Sequence, residues 1–301
     1  MSHKDQITIV VTDSGLGGIS TTADLCCRFK NQGSNKKVKI IYFNSLADNS
    51  LGYNDMKSTV QKIHVFNNAL ESMYQNYQPD YILIACNTLS VIHEQTAFSR
   101  RGLIPVIGIV DAAVKMMMTY LTANAVSSVI ILGTQTTISS GLYPKMLIQR
   151  GIAPDRMIAE ACSTLHIEIE NDAGSLKVKD LIRFHVNNAF SNLPQHSESV
   201  GVSLNCTHYA YASSIFEGFF CQSNIKNISL INPNTHMSDF LFAKEPKVMN
   251  PEISIEVISQ AELTQKSIAS TAGLIQDSAP ELVLALRNYN RNPKLFEWKN
   301  V

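Results

Sequence analysis

Residues 81–90 read YILIACNTLS, and residues 202–211 read VSLNCTHYAY. In each, a short apolar run stops at a lone cysteine, Cys86 or Cys206, and short polar residues follow at once. Apolar runs of this length without strict alternation are the pattern of strands buried on both faces. Such strands belong to parallel sheets covered by helices, and these sheets bind ligands at the carboxyl ends of their strands.

Working outward, similar runs recur as ITIVV (7–11), VKIIYF (38–43), PVIGIV (105–110), SSVIILG (127–133) and VGVSL (200–204). Helix-length stretches separate several of them. In STVQKIHVFNNALESMYQNY, at 58–77, Val60, Ile63, Phe66, Leu70 and Met73 fall at steps of three and four, which predicts an amphipathic helix. The expected class is therefore α/β, with doubly wound parallel sheets. At 301 residues the chain lies near or above the length at which single cores usually divide, so two domains are expected.

Polar residues close several of these runs. ITIVV leads into Thr12-Asp13-Ser14-Gly15, YILIA into Cys86-Asn87-Thr88, VIIL into Gly133-Thr134-Gln135-Thr136-Thr137, and GVSL into Asn205-Cys206-Thr207-His208. Cys86 follows Asp13 by 73 positions (13 to 86), and Cys206 follows Thr134 by 72 (134 to 206). The matched spacing suggests two similar half-chains, each bringing a strand-end cysteine to one side of a cleft.

Lys and Arg together number 25, as do Asp and Glu, and the one basic cluster is NKKVK at 35–39. This balance argues against a nucleic-acid backbone or an anionic membrane as partner. The opening MSHKDQITIV lacks a charged segment leading into a long apolar one, and no run reaches the ~18 apolar residues of a membrane span, so a soluble, cytosolic protein is expected. The six cysteines form no C-x-x-C pair and have no histidine at ligand spacing, so no metal site is expected. Cys26, Cys27, Cys162 and Cys221 read as packing residues. DSGLGG, at 13–18, is too weak a pattern for a phosphate loop, and no cofactor is expected.

A thiol at a helix N-terminus is expected to ionise more readily. A Cys-His hydrolase has no use for a second matching cysteine. Two equivalent cysteines suit a two-base proton transfer, in which one as thiolate takes a proton from one face of a carbon and the other as thiol returns one to the opposite face.

The four motifs VTDSGLGGIS, ACNT, GTQTTISSGLY and NCTHY, in this order and spacing, resemble the cofactor-independent aspartate/glutamate racemase family over roughly residues 7–235. The resemblance implies two doubly wound α/β lobes related by a pseudo-twofold axis, 1–109 with 229–301 and 110–228, with the active site in the cleft between them. It also implies interconversion of L- and D-glutamate by two-cysteine proton transfer, D-glutamate for peptidoglycan, and a homodimer. Carried over position by position, Cys86 and Cys206 are the catalytic cysteines, acting on the D and the L isomer respectively. Asp13 assists the first and His208 the second, and a helper glutamate falls on Glu170 of EACSTLHIEIEN (160–171). Ser14, Asn87, Thr88, Thr134, Thr137 and Thr207 match groups that bind the amino-acid substrate. Leu51 and Gly52 fall where backbone groups do so.

Three departures stand out. Ser50-Leu51-Gly52 replaces a Pro-Tyr-Gly triplet and loses an aromatic ring, Asn205 replaces a glycine, and EACSTLHIEIEN lacks the family's prolines. Gly52 is expected to preserve the backbone turn. Residues 245–301 match no motif, and are expected to fold back on the first lobe or to mediate subunit contact. His208 and the Asp-Ser-Gly opening favour glutamate over aspartate. The alternatives are a racemase for another amino acid and a non-catalytic binding protein on the same scaffold. His64, His93, His166, His185 and His236 carry no motif and read as structural.

Overall fold

The computed structural model describes residues 5–34, 36–195, 197–222, 225, 227–242 and 251–299. Residues 1–4 of the opening, Asn35 of the basic cluster, and 245–250, 300 and 301 of the C-terminal stretch lie outside them. The chain forms two compact units, 1–108 with 235–301 and 109–234. Among the described residues ten strands run in chain order: β1 Gln6–Asp13, β2 Lys37–Asn44, β3 Tyr81–Ile84, β4 Val106–Gly108, β5 Ser127–Gly133, β6 Met157–Ala161, β7 Ser199–Asn205, β8 Ile228–Ile231, β9 Ile253–Ser259 and β10 Asn290–Arg291.

In the first unit they form a six-stranded sheet of order β10-β9-β2-β1-β3-β4, and in the second a four-stranded sheet of order β6-β5-β7-β8. Among the described residues, every pairing of these strands is parallel. Chain order maps β2-β1-β3-β4 onto β6-β5-β7-β8, so both units carry one winding. The expected α/β class with two parallel sheets holds. Continuous apolar strands follow from burial on both faces: Ile9, Val10 and Val11, like Val129, Ile130 and Ile131, are buried.

The helix expected at 58–77 spans Thr59–Tyr77, and Ser58 caps it by accepting from the Gln61 N–H at 3.1 Å. Its buried stripe is Val65, Phe66, Ala69, Leu70 and Met73. Val60, expected on that stripe, is 64% exposed. It stands in the first turn, ahead of the first buried residue, Val65. PVIGIV is not one strand. β4 stops at Gly108 and the helix Ile109–Ala123 begins with the next residue. A Cβ at Gly108 would lie 2.8 Å from Ser90 Oγ, so the Ser90 side chain packs directly on the backbone where the strand ends. Short apolar runs do not distinguish strand from helix by periodicity, and Ile109 and Val110 belong to the helix.

The C-terminal stretch completes the first sheet. The whole of β9 pairs with β2, from Val38↔Ile253 to Asn44↔Ser259, and β10 pairs with the end of β9. Polar anchors continue the attachment: Asn44 Nδ2 donates to Ser259 Oγ at 3.0 Å, and Gln260 Nε2 donates to the Ala47 carbonyl at 3.0 Å. No helix among the described residues is long and apolar enough to cross a membrane.

Candidate active site

The first unit brings Asp13 and Cys86 together through the register of β1 and β3. Thr12 pairs with Ile84, and the Ala85 N–H donates to the Thr12 carbonyl at 2.9 Å, so the two chains leave the sheet side by side. Ser14 Oγ then lies 3.2 Å from Cys86 Sγ. Asp13 and Cys86 are both buried. A Cβ at Gly18 would meet Asp13 Cβ at 2.8 Å and Oδ2 at 3.1 Å. Gly18 caps the helix Ile19–Gln32, so the carboxylate rests at the N-terminus of a 14-residue helix, where an anion is favoured.

Cys86 caps a helix of four residues, Asn87–Ser90, and Asn87 and Thr88 are buried beside it. The expectation of a readily ionised thiol at this cap does not hold. Burial, and then the Asp13 charge, push the Cys86 thiol up to about 12, against opposing hydrogen bonds from Ser14 and the backbone. One helical turn supplies too small a dipole to outweigh a dry site with a carboxylate alongside.

Leu51 and Gly52 lie half-buried in a loop of this unit, where the Gly52 N–H donates to Asp55 Oδ2 at 3.2 Å. Gly52 is not among the residues with positive φ, so the turn does not draw on glycine's conformational freedom. The next residue, Tyr53, is 2% exposed, and its ring stands edge-on to Phe66 with centroids 6.4 Å apart. Its phenol is held well above its ordinary value by burial and by the charge of Cys86.

In the second unit, Gly133 pairs with Asn205, which sets Thr134 beside Cys206 as Ser14 is set beside Cys86. Thr134 caps the helix Gln135–Ser139, and its hydroxyl lies 3.1 Å from that of Thr137. Cys206 Sγ lies 3.9 Å from His208 Nδ1, a long contact, and His208 Nε2 lies 2.7 Å from Glu170 Oε2. Cys206, Thr207 and His208 are all buried. Burial disfavours the imidazolium, but hydrogen bonds to Cys206 and Glu170 prevail and hold His208 well above its ordinary value.

Glu170 comes from the helix Leu165–Asp172, and His166, one turn earlier, presents its ring 6.1 Å from that of His208. Tyr211 stands on His208 as well, at 6.5 Å. Among the described residues, no group of three or more His, Cys, Asp or Glu is gathered to hold a metal ion.

Each unit thus collects the residues assigned to it by sequence: Asp13, Ser14, Cys86, Asn87 and Thr88 in one, Thr134, Thr137, Glu170, Cys206, Thr207 and His208 in the other. Tyr53 and Tyr211 were not singled out by sequence, and His166 was read as structural. For His166 the signal was there, since it precedes Glu170 by four residues on one helix. For Tyr53 it was only adjacency to Gly52.

Residues 36–218 match the Asp/Glu/Hydantoin racemase family, more than half of the chain. The chain belongs to this family. Among similar proteins, a glutamate racemase of Sulfurihydrogenibium sp. (strain YO3AOP1) is 28% identical over 229 residues, 74% of this chain and 78% of its own length. That of Campylobacter jejuni subsp. jejuni is 25% identical over 239 residues, 79% of this chain and 85% of its own. The crystal structure of glutamate racemase from Francisella tularensis subsp. tularensis SCHU S4 in complex with D-glutamate matches with a TM-score of 0.70 at 20% identity, covering 91% of this chain and 95% of that one. At that identity the likeness establishes the fold of this racemase-family member.

Proposed function

We propose that the chain is a glutamate racemase, an isomerase that inverts Cα of glutamate by proton transfer between two cysteines and without a cofactor. One observation carries this reading: each unit, by the same winding, ends its third strand at a buried cysteine with its own proton-handling neighbours. At Cys86 these are Asp13 and Ser14, and at Cys206 they are His208 and Glu170. One thiolate removes the Cα proton from one face while the other cysteine, as thiol, returns a proton to the other face. Cys86 acts on the D isomer and Cys206 on the L isomer.

Cys86 must lose its own proton before it can act as a base, and the adjacent Asp13 carboxylate is the acceptor. His208, braced by Glu170, exchanges a proton with Cys206. Ser14, Asn87, Thr88, Thr134, Thr137 and Thr207, with the backbone at Leu51 and Gly52, hold the substrate's charged groups. The D-glutamate formed supplies peptidoglycan from the cytosol, and the active form is a homodimer.

A racemase for a different amino acid is the second reading. Leu51, in place of an aromatic ring, and the buried amide of Asn205, in place of a glycine, favour it, because a pocket hydroxyl or amide shifts preference far more than a methylene. The test is incubation with L- or D-glutamate in deuterated water, following deuterium at Cα and optical rotation. Glutamate is expected to exceed aspartate, glutamine and neutral amino acids by a wide kcat/KM margin. Exchange with a different amino acid selects the second reading, and no exchange with any overturns both.

A further inference from the structure

Tyr53 is buried, yet among the described residues its hydroxyl has no hydrogen-bond partner. A buried phenol in that state is costly, and phenylalanine would fill the same space without the cost. The side chain is not loose. Its ring is set edge-on against Phe66, and the loop is pinned on both sides. Ser50 N–H donates to Asp48 Oδ1 at 2.9 Å, Asn49 Nδ2 donates to the Glu262 carbonyl at 2.8 Å, and Asp55 N–H donates to the Gly52 carbonyl at 3.0 Å. A rigid, buried, unused donor next to Gly52, whose phenol feels the charge of Cys86, is what a preorganised ligand contact requires.

We propose that the Tyr53 hydroxyl is a substrate-binding donor in the Cys86 half of the site, giving its hydrogen bond to the side-chain carboxylate of an acidic amino acid. The inference rests on the racemase reading above. Asn87 and Thr88 directly follow Cys86, the thiol that must reach Cα, and so fall to the amino and carboxylate groups on that carbon. Tyr53 arrives from a separate loop, one residue beyond Gly52, and is left for the far end of the substrate. The shift described above keeps its phenol protonated, a donor at working pH. The phenol adds no charge beside Asp13, and its O–H gives a carboxylate side chain the donor that the Asp13 carboxylate in the same unit cannot. The phenol also returns to the loop an aromatic group that Leu51 lacks.

The test is Tyr53→Phe in the full chain, which keeps the ring against Phe66. KM for both glutamate enantiomers is expected to rise about 10- to 100-fold, the loss of one hydrogen bond to a charged group, with kcat changed only a few-fold. The thermal upshift produced by D-glutamate should shrink in parallel. D-norvaline, which has no side-chain carboxylate, should inhibit parent and variant equally, and the unliganded melting temperature should stay level or rise.

Unchanged KM and thermal upshift overturn the proposal. So does equal weakening of D-norvaline, which would mean a deformed pocket, or a changed Cys86 thiol titration with glutamate binding intact, which would make the phenol a partner of the thiolate. A parent protein that neither binds nor racemises glutamate removes the racemase reading and this contact with it, an outcome visible before the variant is made.

Discussion

Cys86 and Cys206 stand at the same point of the same winding, each just past the third strand of its unit, and their neighbours differ in charge. Cys86 faces a carboxylate and a hydroxyl, and its thiol is pushed up to about 12 by burial and the Asp13 charge. Cys206 faces an imidazole that is itself held up by Cys206 and by Glu170, against burial. The winding fixes where a thiol sits, and the residue beside it decides how its proton is held. A two-base reaction between mirror-image substrates does not require mirror-image helpers. It requires only that each thiol change its protonation state when the other does.

The sharpest way to break this comparison is to remove one thiol at a time. Cys86→Ala and Cys206→Ala are each expected to lower racemisation by about 10³-fold or more, since each deletes one of two obligatory proton carriers. Residual exchange should separate them. With Cys86 alone, D-glutamate can lose and regain its Cα proton on one face, so Cys206→Ala should incorporate solvent deuterium into D-glutamate without inversion. Cys86→Ala should do the same for L-glutamate. Proton NMR of each enantiomer in deuterated water checks this, and exchange of the opposite enantiomers would swap the faces assigned to the two cysteines.

Next in size is the exchange of helpers. Asp13→Asn and His208→Gln should each cost about 10²-fold in kcat/KM, equally in both directions because the enantiomers have equal free energy. Their pH behaviour should differ. Removing the Asp13 charge takes away one cause of the raised Cys86 thiol, so alkylation of Cys86 by iodoacetamide should set in at lower pH in Asp13→Asn than in the parent.

His208 binds its proton more tightly in the folded chain than at its ordinary value of 6.5. The stability it contributes is therefore fully present below about 6.5 and is lost as pH rises through the raised folded value. Urea midpoints measured from pH 6 upward should fall for this reason in the parent and stay flatter in His208→Gln. A parallel decline in both would assign the pH dependence to other groups.

Sequence placed the two thiols and most of their neighbours, because apolar runs ending in polar motifs mark where parallel strands leave a sheet. Resemblance to the family assigned Asp13 to Cys86 and His208 to Cys206. β9 was missed, because Ile253–Ser259 mixes Ser and Glu with its apolar residues and pairs with a strand more than 200 positions earlier. The ionisation of Cys86 was misjudged, since a helix start is visible in sequence and its length of one turn is not. Tyr53 was missed because burial of a hydroxyl without a partner is a property of packing and leaves no periodic trace.

The smallest expected effect sharpens the comparison at the residue before each thiol. The first unit has Ala85 there and the second Asn205, and both are fully buried. Neither amide atom of Asn205 has a hydrogen-bond partner among the described residues. Truncating a bonded buried amide leaves its partners stranded and costs about 1–3 kcal/mol. Asn205→Ala strands nothing, and relief of the unmade hydrogen bonds opposes the cost of a small cavity, about 24 cal/mol per Å³. The two terms are of similar size, so the urea unfolding free energy should move by no more than about 1 kcal/mol in either direction. A loss of about 3 kcal/mol would mean that the amide is bonded in the working protein, and that the second unit, unlike the first, uses the residue before its cysteine as well as the one after.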